Sequence, residues 1–111
     1  MKNKDITNVI TQGRAFKSSS FLLKTAENKD KVARNIAVLA SKKIFKTAVL
    51  RNKARRKIRA AVTAAKKASP ALLWNDSKLA VITAYDNILS VHHLDLARDM
   101  RNILEKSGML G

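Results

Sequence analysis

The chain has 111 residues and carries 23 Lys+Arg against 8 Asp+Glu, a formal net charge of +15. A hydrophobic fraction of 46% is too high for a disordered basic tail, and the length sustains one modest core, so a single domain over residues 1–111 is expected. Cysteine is absent, which excludes disulfides and thiolate zinc sites as supports of the fold.

Residues 5–12 predict a short helix. Asp5 serves as its N-cap, Ile6, Val9 and Ile10 lie on one side, and Gly13 is expected as a left-handed residue past the end. Phe16–Thr25 reads as one extended segment, with Ser18, Ser19 and Ser20 ahead of Phe21, Leu22 and Leu23. The polar run 26–31, AENKDK, fits a hairpin-type connection, and Ile36–Ala40 is a continuous apolar run of strand length, expected to be covered on both faces. A long helix follows from Thr47 to near Lys67 and is stopped by Ser69-Pro70, since proline lacks an N–H and biases its predecessor away from helix. Ala71–Trp74 reads as a short strand with Trp74 capping the core, Asn75-Asp76-Ser77 as a turn, and Leu79–Tyr85 as a buried strand. A last helix begins near Ser90 or His93, buries Leu96, Ala97, Met100, Ile103 and Leu104, and ends at Gly108. The order is α-β-β-α-(β)-β-α without internal repeats: an α+β fold with a small sheet carrying helices.

The stretch Ser41–Lys67 dominates this chain. It holds eleven of the 23 Lys+Arg residues, and no carboxylate stands between Asp30 and Asp76. At 100° per residue, Leu50, Ala54, Ile58, Ala61 and Ala65 fall within about 80° of one another. Arg51, Asn52, Arg55, Arg56, Arg59, Lys66 and Lys67 fill the opposite sector, with Val49 and Val62 as apolar exceptions at its edges. Lys53 and Lys57 flank the apolar stripe, where their stems cover it and their ammonium groups reach water. Like charges one turn apart repel by a few tenths of a kcal/mol per pair, a cost that reverses once phosphates lie against the face. A polyanion is therefore the expected partner, nucleic acid before an anionic membrane surface. The narrow, alanine-rich apolar sector argues against the membrane. No run approaches the roughly 18 apolar residues of a membrane span, and the N-terminus lacks an apolar signal core, so a cytoplasmic location is expected.

Protein catalysis finds little support. The acids Asp5, Glu27, Asp30, Asp76, Asp86, Asp95, Asp99 and Glu105 are scattered, whereas a metal-dependent nuclease needs them clustered. Asp95 and Asp99 share a helix face with Arg98 and Arg101 as partners, and the adjacent His92-His93 pair does not converge on one ion. No phosphate-binding or nucleophile-elbow motif is present. Phe21 and Tyr85 are read as core residues, with base stacking as the functional alternative for Phe21.

The run Ala48-Val49-Leu50-Arg51-Asn52-Lys53-Ala54-Arg55-Arg56-Lys57-Ile58-Arg59 resembles the signature A-V-x-R-N-x-x-K-R-x-x-R of the bacterial ribonuclease P protein component. Arg55 replaces the usual lysine, and Ser41-Lys42-Lys43 stands at the distance where that family ends a strand in S-K-K. The likeness extends more loosely over nearly the whole chain. It implies a two-layer α-β sandwich in which the basic helix makes an uncommon left-handed crossover between parallel strands, against the general rule. It also implies the protein subunit of a ribonucleoprotein that removes the 5′ leader of precursor tRNA. Ribonuclease P RNA carries the active site with Mg²⁺, and the protein itself binds no metal and no small-molecule substrate.

By the same resemblance Arg51, Asn52, Arg55, Arg56 and Arg59 contact the catalytic RNA and the adjoining leader. Lys42, Lys43, Lys46 and Lys53 join them as RNA-binding candidates. Arginine fits the task because its planar fork grips phosphate bidentately and stacks on bases. The family also holds leader in a cleft between the first helix and the sheet, for which Ile6, Ile10, Phe21, Leu23 and Lys24 are the candidates. This chain departs from the family pattern there: Ile6 and Ile10 replace common phenylalanines, Lys24 replaces a frequent aromatic, and Phe45 stands where glycine is common. The competing reading is a structural RNA-binding protein of ribosomal type, which shares the charge and length but not the arginine spacing.

Overall fold

The computed structural model describes all 111 residues. Helix α1 (Asn3–Gln12) is followed by strands β1 (Arg14–Lys17), β2 (Phe21–Glu27) and β3 (Ile36–Leu39). Helix α2 (Ala48–Ala68), strand β4 (Lys78–Ala84), a 3-10 turn (Asp86–Leu89) and helix α3 (His93–Lys106) complete the chain. The sheet has the order β1-β2-β4-β3, with β3 parallel to β4 and the other pairs antiparallel. This is the expected α+β fold, and the connection through α2 joins the parallel pair.

Strand alternation gives the sheet two faces. Phe21, Leu23, Val38, Ala80, Ile82 and Ala84 point to one side, where Ala54, Ile58, Ala61, Val62 and Ala65 of α2 and Leu96, Met100 and Leu104 of α3 close the main core. On the other side, Val9 of α1 packs with Leu79 and Val81 in a smaller cluster that Ile6, Ala37 and Leu39 border. The side bearing α2 and α3 is the expected two-layer sandwich. α1 adds partial cover to the opposite face and leaves the rest of it open.

Several local expectations are corrected. The segment Phe16–Thr25 is two strands, folded at Ser18–Ser20 where the Ser18 N–H donates to the Phe21 carbonyl at 2.9 Å. Residues 26–31 do not join paired strands, because β4 lies between β2 and β3. β3 is an edge strand in which only Val38 is fully buried, so its two faces are unequally covered. Ala71–Trp74 forms no strand; Trp74 makes an isolated bridge to Leu110. Asp5 lies inside α1, its carboxylate accepting the Lys2 N–H at 3.0 Å in a capping box. Gly13 has ordinary extended torsions, φ −72° and ψ 154°, and is needed for closeness rather than handedness: an added Cβ would lie 2.2 Å from the Val9 carbonyl oxygen. Gly108 does adopt the left-handed conformation at φ 80°.

Buried asparagines fasten the loops beneath β4. The Asn35 amide donates to the carbonyls of Asn75 and Lys78 at 2.9 and 2.8 Å, and its oxygen accepts the Trp74 indole N–H at 2.9 Å. Asn28 likewise donates to the carbonyls of Val32 and Asp76. Asn35→Ala strands one donor and two acceptors in a buried place and is expected to lower unfolding free energy by about 2–3 kcal/mol in a denaturant titration.

Candidate nucleic-acid interface

Helix α2 begins where Thr47 Oγ1 accepts the Leu50 N–H at 3.2 Å. Its 21 residues extend about 31 Å at 1.5 Å each. The stripe predicted to be apolar is buried from Ala54 to Ala65, with Leu50 half-buried at its start. Asn52, Arg56, Arg59, Lys66 and Lys67 are exposed, while Arg51 and Arg55 are half-buried. Both ion pairs of the molecule, Arg98–Asp95 at 2.6 Å and Arg101–Glu105 at 3.8 Å, lie on α3, so none of the α2 cations is neutralised by a carboxylate.

The arginines and lysines of the stretch are not equivalent. Arg51 Nη1 donates to the Phe45 carbonyl at 3.0 Å. Phe45 is 2% exposed and anchors the approach to α2 in the core, while its N–H donates to the Ser41 carbonyl at 2.8 Å. The bulky residue in the place of glycine thus plugs the turn into the helix, and Lys42, Lys43 and Lys46 stand exposed around it. Arg55 donates to the Asn52 side-chain oxygen, which orients one guanidinium with a neighbouring amide. Lys57 turns away from the exposed face and donates to the carbonyls of Leu89 and Val91. Lys53 is exposed. At the far end, the Lys66 ammonium sits 3.9 Å from the centroid of the Trp74 ring.

On the opposite face of the sheet from the main core, an open groove of about 550 Å³ lies beside α1. Ile10, Leu22, Lys24, Leu39, Val81 and Thr83 line it, and Arg55 closes one side. Lys24 Nζ donates to the Ile10 carbonyl at 2.6 Å, placing a cation at the end of α1 where the last helical carbonyls favour one. Ile10 and Lys24 therefore border the groove, and Ile6 packs in the smaller cluster next to it. Phe21 and Leu23 do not line it. Both are 0% exposed in the main core, because side chains an odd number of residues from Lys24 project to the other face. The stacking alternative for Phe21 falls with that placement. Leu22, Leu39, Val81 and Thr83 are among the lining residues that the sequence did not single out. Leu22 follows from Lys24 by the two-residue period, whereas Val81 and Thr83 follow only from the pairing of β2 with β4.

Elsewhere the side chains have structural partners. His92 Nδ1 accepts the Leu94 N–H at 3.2 Å as the cap of α3, and the His92 and His93 rings stack 4.5 Å apart. No group of three or more His, Cys, Asp or Glu residues is placed to hold a metal ion. No helix is long and apolar enough to cross a membrane.

A small sheet that presents a long cationic helix on one side and a cation-rimmed groove on the other defines an α+β protein built to hold RNA. The ribonuclease P family model matches residues 1–108, and the chain belongs to that family. It is the protein subunit of ribonuclease P, an endoribonuclease of tRNA 5′ maturation in which the RNA carries catalysis and is this chain's partner. The fold is similar to that of the ribonuclease P protein of Staphylococcus aureus, with a TM-score of 0.69 at 20% identity, over 100% of this chain and 95% of that one. It is also similar to the ribonuclease P protein of Thermotoga maritima, with a TM-score of 0.68 at 14% identity, over 96% of this chain and 94% of the other. No curated protein sequence matches the chain.

Proposed function

We propose that the groove holds the single-stranded 5′ leader of precursor tRNA while the exposed face of α2 holds ribonuclease P RNA, so that the leader is presented at the RNA active centre. The observation that carries this reading is the double membership of Arg55, which stands on α2 between Arg51 and Arg59 and also borders the groove. The RNA-binding set is Arg51, Asn52, Arg55, Arg56 and Arg59 with Lys42, Lys43, Lys46 and Lys53. Within it Arg51 also fixes the loop that carries the first three lysines. Ile10, Leu22, Lys24 and Thr83 face the leader. Without an aromatic platform, the groove holds it by apolar contact and by charge from Lys24 and Arg55.

All 111 residues act as one RNA-binding domain in the cytoplasm, with a left-handed β3–α2–β4 connection. Magnesium in the holoenzyme belongs to the RNA. The acids of this chain are dispersed and form no cluster that fits a metal ion.

The test is cleavage of precursor tRNA at low magnesium and near-physiological salt, by a bacterial ribonuclease P RNA with and without the protein. Cleavage at the mature 5′ end only with both present supports the reading. Tight binding to that RNA and to the RNA of the protein's own source, without cleavage, returns the chain to a structural RNA-binding role. Lys24→Glu separates the groove from the helix. It is expected to weaken holoenzyme binding of leader-bearing tRNA about tenfold and to leave binding of leaderless tRNA unchanged, as read by filter binding.

A further inference from the structure

Of the two apolar residues at the edges of the basic sector, Val62 turns into the core and Val49 does not; Val49 is 63% exposed. Its neighbours one and two turns along the helix are Asn52, Lys53 and Arg56, all exposed. Before the Thr47 cap, Ile44 is 42% exposed between the exposed Lys43 and the buried Phe45. Six large apolar side chains stand exposed in the molecule, and Ile44 and Val49 are the two on the acid-free stretch Ser41–Lys67. Isolated exposed hydrophobic residues are ordinary. These two flank one helix start, five residues apart, on a stretch whose exposed Lys42, Lys43, Lys46, Lys53 and Arg56 attract polyanions.

We infer that Ile44 and Val49 form an apolar contact for an unpaired nucleobase of the bound RNA, set inside the cationic surface that holds its phosphates. Duplex RNA offers mainly phosphate and ribose at such a surface, whereas an unstacked base offers a large apolar face. Cations alone would grip any polyanion and lose that grip as salt rises. An aliphatic pair adds binding that salt does not screen and favours a partner with a base turned out at this point. This inference rests on the RNA-binding reading of the α2 face.

The experiment measures affinity of the full-length protein for a bacterial ribonuclease P RNA transcript over a series of salt concentrations. Ile44→Ser with Val49→Ser is expected to lose about tenfold in affinity at every salt concentration, with the slope of log affinity against log salt unchanged. Ile44→Val with Val49→Ile should keep wild-type affinity. Lys46→Ala should instead flatten the slope by about one, the signature of one lost phosphate contact. A loss smaller than fivefold in the serine pair, or a loss that appears as a changed slope, overturns the apolar contact. The pair Arg55→Ala and Arg59→Ala, run alongside, tests the face itself. If that variant binds as wild type, the RNA-binding reading of α2 fails; if it weakens and the serine pair does not, only the present inference fails. Thermal melts matching wild type exclude misfolding, since neither Ile44 nor Val49 is in the core.

Discussion

Arg55→Ala combined with Arg59→Ala is expected to lower affinity for ribonuclease P RNA about a hundredfold and to abolish cleavage at physiological salt. Each guanidinium supplies charge-assisted hydrogen bonds to phosphate, about 1.5 kcal/mol apiece at the low end of the range, and roughly 3 kcal/mol together is two decades in binding. The slope of log affinity against log salt should fall by about two. Stability should move the other way. Arg51, Arg55 and Arg59 stand one turn apart, so removing two of them relieves repulsion of a few tenths of a kcal/mol per pair. Arg59 is exposed and Arg55 half-buried, and neither has a carboxylate partner whose loss would strand a charge. A variant that melts no lower than wild type yet fails to bind isolates the interface from the fold. Cleavage at wild-type rates would remove α2 from the interface.

Gly13→Ala is the substitution expected to damage the fold most for its size. The added methyl would meet the Val9 carbonyl oxygen at 2.2 Å and the Thr25 carbonyl oxygen at 2.9 Å. Both are backbone atoms held in place: Val9 O accepts the Gly13 N–H at 2.7 Å, and Thr25 pairs with Arg14 across the β1–β2 ladder. Neither can rotate aside, so the end of α1 must lift from the sheet. A loss of about 2–3 kcal/mol is expected, the upper part of the range for overpacking, seen as a lower denaturation midpoint. Because α1 is one wall of the groove, the surviving folded protein should bind leader-bearing tRNA less well while keeping its affinity for ribonuclease P RNA. An unchanged midpoint would mean that α1 is not held against the sheet as described.

The sequence announced some of this structure and concealed the rest for physical reasons. α2 was legible twice over, in its charge and in its apolar period, and its start at Thr47 and end before Pro70 carry recognisable signals. β4 was legible as a strand because a central strand is largely covered on both faces: five of its seven side chains are buried, and the polar Thr83 falls where the outer face stays open. The face of β2 was not. Phe21-Leu22-Leu23 is apolar throughout, so the two-residue period vanishes, and nothing local separates Phe21 and Leu23, which face the core, from Leu22 and Lys24, which face the groove. The turn at Ser18–Ser20 does carry a signal, since serine is a turn residue, but it is weaker than Gly, Asn, Asp or Pro and also compatible with an extended run between Phe16 and Phe21. The role of Gly13 is ambiguous in sequence, since a glycine kept for close approach and one kept for a left-handed turn look the same there. The groove itself depends on the β2–β4 register, which brings Lys24 beside Val81 across more than fifty residues of chain. Nothing local records that pairing.

The sheet order has a temporal side. β4 sits between β2 and β3 and hydrogen-bonds to both, yet it is the last strand to be made. While the chain emerges from a ribosome, only α1 and the β1–β2 hairpin can assemble; β3 has no neighbour and α2 has no sheet to cover until residue 84 is free. Domains fold as units during synthesis at about 5–20 residues per second, so the 16 residues from the end of the cationic helix to the end of β4 take roughly 1–3 s, during which the helix has no sheet to cover. A helix of this charge, emerging beside ribosomal RNA before its own fold can close, meets polyanions earlier than it meets the rest of its protein. Holding β4 late couples the two ends of the sheet: β3 and α2 gain their place only when the central strand pairs with β2, and α3 then closes the core over them.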